Sequence, residues 1–169
     1  MSHYDADPGA ALAATSDEAW LTRACALAVE NVAEGGGPFG AVVVRDGRPL
    51  GAGQNRVTRD LDPTAHAEVV AIRDACRTLG AFALAGCTLY SSCEPCPMCV
   101  AAALWARLER IVFAADRYDA ARGGFDDLAF YDLLAADRAT WPMPVVALPC
   151  AHASHPFDAW LAKEDRVHY

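Results

Sequence analysis

One imidazole and two thiols, divided between segments well apart in the chain, constrain this sequence most: His66-Ala67-Glu68 and Pro95-Cys96-Pro97-Met98-Cys99. A metal that takes nitrogen and thiolate ligands together needs them a few ångströms from one centre, so any fold must bring the two segments into contact. One neutral imidazole and two thiolates on Zn²⁺ give a formally neutral centre with its fourth position open. That is the ligand set of a catalytic site rather than a closed structural one, and such a centre can ionise water near neutral pH. Glu68 is then a fourth functional group, an acid beside the set and not part of it.

Local structure fits this placement. Asp62-Pro63 reads as a helix cap with Pro in the first turn, and Ala65, Val69, Ile72, Cys76 and Leu79 recur at spacings of three and four, so a helix is expected from about residue 63 with His66 in its first turn. His66 and Glu68 lie about 200° apart around such a helix and share no lateral face, so both can converge only beyond its N-terminus. Glu94-Pro95 opens a second helix running through Met98, Ala102 and Trp105, with Cys96 and Cys99 on one side of its first turn. The positive end of that helix favours thiolates.

Other chemistries use parts of this pattern. Cys-x-x-Cys alone suits a redox pair or half of a structural zinc site, and Cys93 extends it to a spacing found in iron–sulfur ligation. The fourth cysteine of such clusters is missing nearby. A redox pair has no need of prolines at both 95 and 97, nor of His-x-Glu at another helix start. Cys25, Cys76, Cys87 and Cys150 read as core or incidental thiols, Cys93 as a packed neighbour of the site, and His3, His152, His155 and His168 as solvent or packing residues.

With 169 residues, 54 % of them hydrophobic, the chain is long enough for one domain with a sizeable core. We expect a single domain over residues 16–169 preceded by a mobile tail, residues 1–15, which lacks the basic and apolar regions of a secretory signal. No apolar run approaches a membrane span. Seven cysteines, an odd number, fit a reducing, cytoplasmic setting, and a net charge of −8 without a Lys/Arg stripe argues against nucleic acid as a partner.

Along the chain, Thr15 to Glu18 forms a capping-box pattern, and Leu21, Ala24, Cys25, Ala28 and Val32 make an apolar stripe ending at Gly35-Gly36-Gly37, so a first helix is expected over about 16–34. Residues 39–44 and 50–54 flank Asp46-Gly47, a hairpin signal, while 88–91 and 110–115 read as short buried strands whose β-helix-β order implies parallel pairing. Residues 145–148 offer a fifth, edge strand among Pro142, Pro144 and Pro149. The expected fold class is α/β, a three-layer α-β-α sandwich around a mixed sheet of about five strands.

These residues carry a resemblance. Gly37-Pro38-Phe39-Gly40, Asn55, residues 62–69, Ser92 through Cys99, Trp105-Ala106-Arg107, Gly124-Phe125-Asp126-Asp127 and Tyr169 make the chain similar to the cytidine deaminase superfamily, and within it to the bacterial guanine deaminases. The zinc motif marks the superfamily; Gly-Phe-Asp-Asp and the final Tyr point to the purine-base branch. The resemblance implies a zinc-dependent aminohydrolase with one Zn²⁺ per chain on His66, Cys96 and Cys99, and Glu68 as general acid and base. Backbone N–H groups near Ala67 and the Cys96 helix start would orient base and water. Asn55 would meet ring polar atoms, Phe39, Trp105 and Phe125 would wall a flat heterocycle, and Asp127, an acceptor, would meet the donor edge of guanine. It also implies a homodimer in which residues 156–169 cross to the neighbouring subunit as a lid bearing Tyr169.

The plainer roles stay open: either Asp could cap a helix over 126–135, Asn55 could close a turn, and the aromatics could pack a core. Arg56, Arg59 and Val167-His168 depart from the guanine pattern, which leaves cytosine, a nucleoside such as cytidine or guanosine, or an aminotriazine as alternative substrates. A non-catalytic zinc protein is an alternative of another class. A tRNA adenosine deaminase shares the motif, but the acidic balance argues against it.

Overall fold

The computed structural model describes residues 16–169, so the tail expected over 1–15 and the cap expected at Thr15 lie outside it. Helix α1 (Asp17–Ala33) is capped instead by Ser16, whose side chain accepts the Ala19 amide at 3.2 Å. Strands β1 (Gly40–Arg45) and β2 (Arg48–Gln54) form the hairpin around Asp46-Gly47, both in left-handed backbone, as a tight turn of this kind requires. A short helix α2 (Val57–Asp60) leads to α3 (Ala67–Leu79), then β3 (Thr88–Cys93), α4 (Pro97–Trp105) and β4 (Arg110–Ala115). Helices α5 (Arg117–Arg122), α6 (Asp127–Ala135) and α7 (His155–Ala162) follow.

The sheet order is β2-β1-β3-β4, with β1 antiparallel to both β2 and β3, and β3 parallel to β4. Alternation along β1 divides the core. Ala41 and Val43 face α3 and α4 with Ala71, Ile72, Leu89 and Ala103, while Val42 and Val44 face α1 with Leu27 and Tyr90. Helices on both faces of a mixed sheet make the expected three layers. Truncating a side chain as enclosed as Leu89 costs about 2–5 kcal/mol.

Close contact between α3 and β2 sets the position of the site. A Cβ at Gly53 would lie 2.1 Å from the Ala67 carbonyl oxygen and 2.5 Å from the Ala71 nitrogen, and one at Gly51 would lie 2.4 Å from the Ala75 nitrogen. Only glycine against a row of alanines lets the helix sit this low, which brings the start of α3 beside the end of β2.

Three expectations change. The fifth strand at 145–148 does not form, and the sheet has four strands among the described residues; prolines on both sides remove the amides a ladder needs. Helix α3 begins four residues later than expected, because Asp62 Oδ1 accepts from the Thr64 amide at 2.8 Å and its hydroxyl at 2.7 Å and so closes a turn instead of starting the helix. Helix α4 begins at Pro97, because the residue before a proline is driven to extended backbone, as Cys96 is at φ −63°, ψ 166°.

Candidate active site

The later helix starts make His66 and Cys96 the N-cap residues of α3 and α4, both extended and neither capping with its side chain. Their side chains are therefore free to project past the helix ends toward one another. Cys96 Sγ and Cys99 Sγ each lie 3.6 Å from His66 Nδ1, and 3.7 Å from each other. A tetrahedral Zn²⁺ with bonds of about 2.3 Å to sulfur and about 2.0 Å to nitrogen sets ligand atoms about 3.8 Å apart for S···S and about 3.5 Å for S···N. The triangle fits. It is the one such group of His, Cys, Asp and Glu among the described residues.

The donor chemistry fits as well. Cys96 is held down to about 4, first by the Cys99 thiol hydrogen-bonding to it and then by His66, against the effect of burial. The same contact, with burial, pushes Cys99 up, and contact with Cys96 raises His66. A metal takes cysteine as thiolate, so binding a divalent cation on the triangle would release protons and couple metal affinity to pH.

Glu68 stands in the first turn of α3, 5 % exposed, with Oε1 accepting from Ser91 Oγ at 3.3 Å and Oε2 3.5 Å from Cys99 Sγ. Burial pushes its carboxyl above the usual range, which suits a group that must both take and give a proton. Ala67, fully buried between ligand and acid, contributes a first-turn amide that no carbonyl of the helix satisfies.

A cavity opens over this cluster. Its lining includes His66, Glu68, Cys96, Phe39, Asn55, Phe125 and Asp127. Phe39 and Phe125 meet edge to face with centroids 4.7 Å apart, an apolar corner suited to a flat ring. Asn55 Oδ1 accepts the Val57 amide at 3.3 Å, closing a turn as the plainer reading had it, while its Nδ2 makes no hydrogen bond to the described residues. Neither Asp126 nor Asp127 caps α6 with its side chain. Instead Asp127 Oδ1 is buried without a partner among the described residues, and burial raises its carboxyl. An orphaned acceptor on a cavity wall is costly unless a ligand donor meets it.

Trp105 and Tyr169 are elsewhere in the chain. Trp105 ends α4, about 12 Å along the axis from the helix start, is 62 % exposed, and stacks 5.9 Å from Tyr169 on the outer face of the α3–α4 layer. Within one chain neither reaches the cavity. Cys93 donates to the Asp116 carbonyl and stays outside the triangle.

Several contributors carried no sequence signal. Arg117 pairs with Glu94 through Nε at 3.0 Å and its own amide at 3.1 Å, and its guanidinium lies 3.5 Å over the Tyr131 ring. Tyr131 donates to the Pro95 carbonyl at 2.5 Å, so this cluster clamps the turn that delivers Cys96. Phe130 adds a third aromatic wall. A motif scan finds residues by spacing; these converge from separate elements.

A single open metal triangle with a buried non-ligand acid, under an aromatic-walled cavity, defines a zinc-dependent hydrolytic deaminase. The profile of the cytidine and deoxycytidylate deaminase zinc-binding region matches residues 14–115, and the chain belongs to that family. It is 53 % identical to the guanine deaminase of Bacillus subtilis over 85 % of this chain and 92 % of that one. The X-ray structure of guanine deaminase from Bacillus subtilis superposes with a TM-score of 0.88 at 46 % identity, covering 91 % of this chain and 99 % of that chain. Guanine deaminase from Nitrosomonas europaea superposes at 0.64, with 32 % identity over 75 % and 77 %. The tRNA-specific adenosine deaminase of Aquifex aeolicus is 45 % identical over 46 % of this chain and 52 % of that one.

Proposed function

We propose that this protein hydrolyses guanine to xanthine and ammonia. The observation that carries the reading is Asp127 Oδ1, a buried acceptor without a partner among the described residues, on the wall of the cavity that is also lined by Glu68, His66 and Cys96. Guanine presents N–H donors along one edge, and a carboxylate accepts them. Asn55 Nδ2 would meet a ring acceptor, and Phe39 and Phe125 would hold the ring plane.

His66, Cys96 and Cys99 would hold one zinc ion, which as a Lewis acid supplies activation of water at neutral pH. The protein's own groups do the rest. Glu68 takes a proton from the attacking water and passes it to the ring nitrogen beside the carbon under attack; it then carries the second proton to the departing amine, which leaves as ammonia. One water is consumed: its oxygen stays on the ring carbon, one proton on the ring nitrogen and one on ammonia. The Ala67 amide would orient the oxygen.

The acidic charge favours a free base over tRNA, and the buried Glu68 favours catalysis over mere zinc storage. Seven free cysteines suit a cytoplasmic setting, and no helix among the described residues is long and apolar enough to cross a membrane. A panel of guanine, cytosine, cytidine, guanosine and an aminotriazine, read by ammonia release, tests the substrate. A preference of about tenfold or more for a pyrimidine or nucleoside overturns guanine.

We also infer a homodimer in which residues 156–169 cross to the neighbouring subunit and lay Tyr169 over its bound base. Phe157 at 69 % and Leu161 at 64 % exposure are too apolar to be left in water, and the outer edge of β4 is unpaired among the described residues. A lid of this kind would exclude water and complete an aromatic wall. A monomeric mass in solution rules it out.

A further inference from the structure

Asn31, in the last turn of α1, is fully buried although it belongs to no motif of the site. Its Nδ2 donates to the Gly37 carbonyl at 2.7 Å and to the Asn55 carbonyl at 2.8 Å, and its Oδ1 accepts from Arg59 Nη2 at 2.6 Å. Arg59 Nη1 reaches Glu34 at 2.9 Å. One amide thus joins the loop before β1, the loop after β2 and helix α2. Those three segments carry Gly37, Phe39, Asn55, Val57 and Thr58, one whole side of the cavity.

Helix α2 gives the contacts their weight. It has four residues, none of them fully buried and Val57 and Thr58 half-buried, so little apolar packing fixes where these two stand. Its polar ties to the body of the protein are the amide of its N-cap Arg56 donating to the Ala65 carbonyl at 2.9 Å, the Asn55 Oδ1 turn and the two bonds from Arg59, of which only the last come from a side chain of α2. The loop at Gly36 is drawn in equally closely, since a Cβ there would fall 2.5 Å from the Asn31 amide. Burying an amide is unfavourable unless its polar atoms are matched, and here both donors and the acceptor go to the rim of the cavity.

We propose that Asn31 and Arg59 are positioning residues that fix the rim of the substrate cavity, setting the place of Asn55 and α2 and through them the affinity for substrate. This rests on the cavity being the substrate site of the function proposed above. The pair touches neither the metal triangle nor Glu68, so its effect falls on binding and leaves the chemical step alone.

Arg59→Ala tests it without emptying the core. With whichever base the unaltered enzyme turns over best, KM rises about tenfold while kcat stays within about twofold. Zinc content is unchanged, and amides of residues 55–60 exchange about tenfold faster. Arg59→Lys, which keeps the charge without the fork, recovers part of the KM. Asn31→Asp keeps the acceptor for Arg59, loses both donors, and moves KM in the same direction. Unchanged KM with unchanged exchange in Arg59→Ala overturns the proposal, as does a fall in kcat matching the rise in KM. A panel with no turnover overturns the function and not this pair, for which the exchange of residues 55–60 then decides.

Discussion

Residues 16–115 and residues 137–169 follow opposite rules of burial. Every buried residue among those described lies between Ala24 and Ala120, and the metal triangle, Glu68 and the α3–β2 seat all fall in the first region. The second region has an apolar helix and none of the core: Val146 is 71 % exposed, Leu148 81 % and Phe157 69 %. The first region is stabilised by its own burial. The second has the composition of a packed element without the surroundings of one, which is what a segment that folds against another surface looks like. The metal triangle and Glu68 thus lie wholly in the first region, and it is the second region to which the proposed lid role falls.

The sharpest test removes chemistry from the first region alone. Glu68→Gln retains fold and zinc and loses activity by about a hundredfold or more; near-normal turnover in a zinc-loaded variant removes the proton-transfer role. Joint replacement of Cys96 and Cys99 by Ala abolishes zinc, checked by elemental analysis against one zinc per chain. Retention of the metal would break the assignment of the triangle.

Asp127→Ala, at the border of the two regions, lowers guanine kcat/KM by about 30-fold with zinc retained, because a charge-assisted contact to the base is lost. Equal loss of zinc would make Asp127 structural. Deleting residues 167–169 probes the second region: KM rises about tenfold with dimer and zinc intact. Kinetics identical to the full chain would break the comparison by leaving the second region without a function.

The smallest effect lies wholly in the first region. Arg110 and then Tyr90 hydrogen-bond Asp17 and hold its carboxyl below the usual range, tying α1 to β3 and β4. A depressed carboxyl stabilises the fold above the ordinary carboxylate pKa, near 4, and that contribution is lost as pH falls through the folded value. Asp17→Asn therefore lowers Tm by about 1–2 °C at pH 7, and the difference closes in acid. A difference independent of pH would mean that the contact acts through packing alone.

Much of the site was legible because its parts are local. His-x-Glu and Cys-x-x-Cys set ligands and acid within single helix turns, and the hairpin at Asp46-Gly47 and the strand at 110–115 follow from turn chemistry and hydrophobic runs. Helix starts were displaced because Asx-turn bonding at Asp62 and the proline after Cys96 outweighed periodicity. The strand expected at 145–148 failed because Pro144 and Pro149 on either side remove amides that a ladder needs, which outweighs the apolar run between them.

By itself the sequence determined the ligand identities, the non-ligand acid and the α/β class, since each follows from residue type at fixed spacing along one backbone. Only the tertiary structure decided that the three ligand atoms form a triangle of zinc dimensions, that Asp127 leaves an acceptor unpaired among the described residues, that Trp105 and Tyr169 stand away from the cavity within one chain, and that Asn31 joins two loops and helix α2. Those are distances between residues far apart in the chain, set by how low α3 sits on Gly51 and Gly53 and by which buried amides find partners.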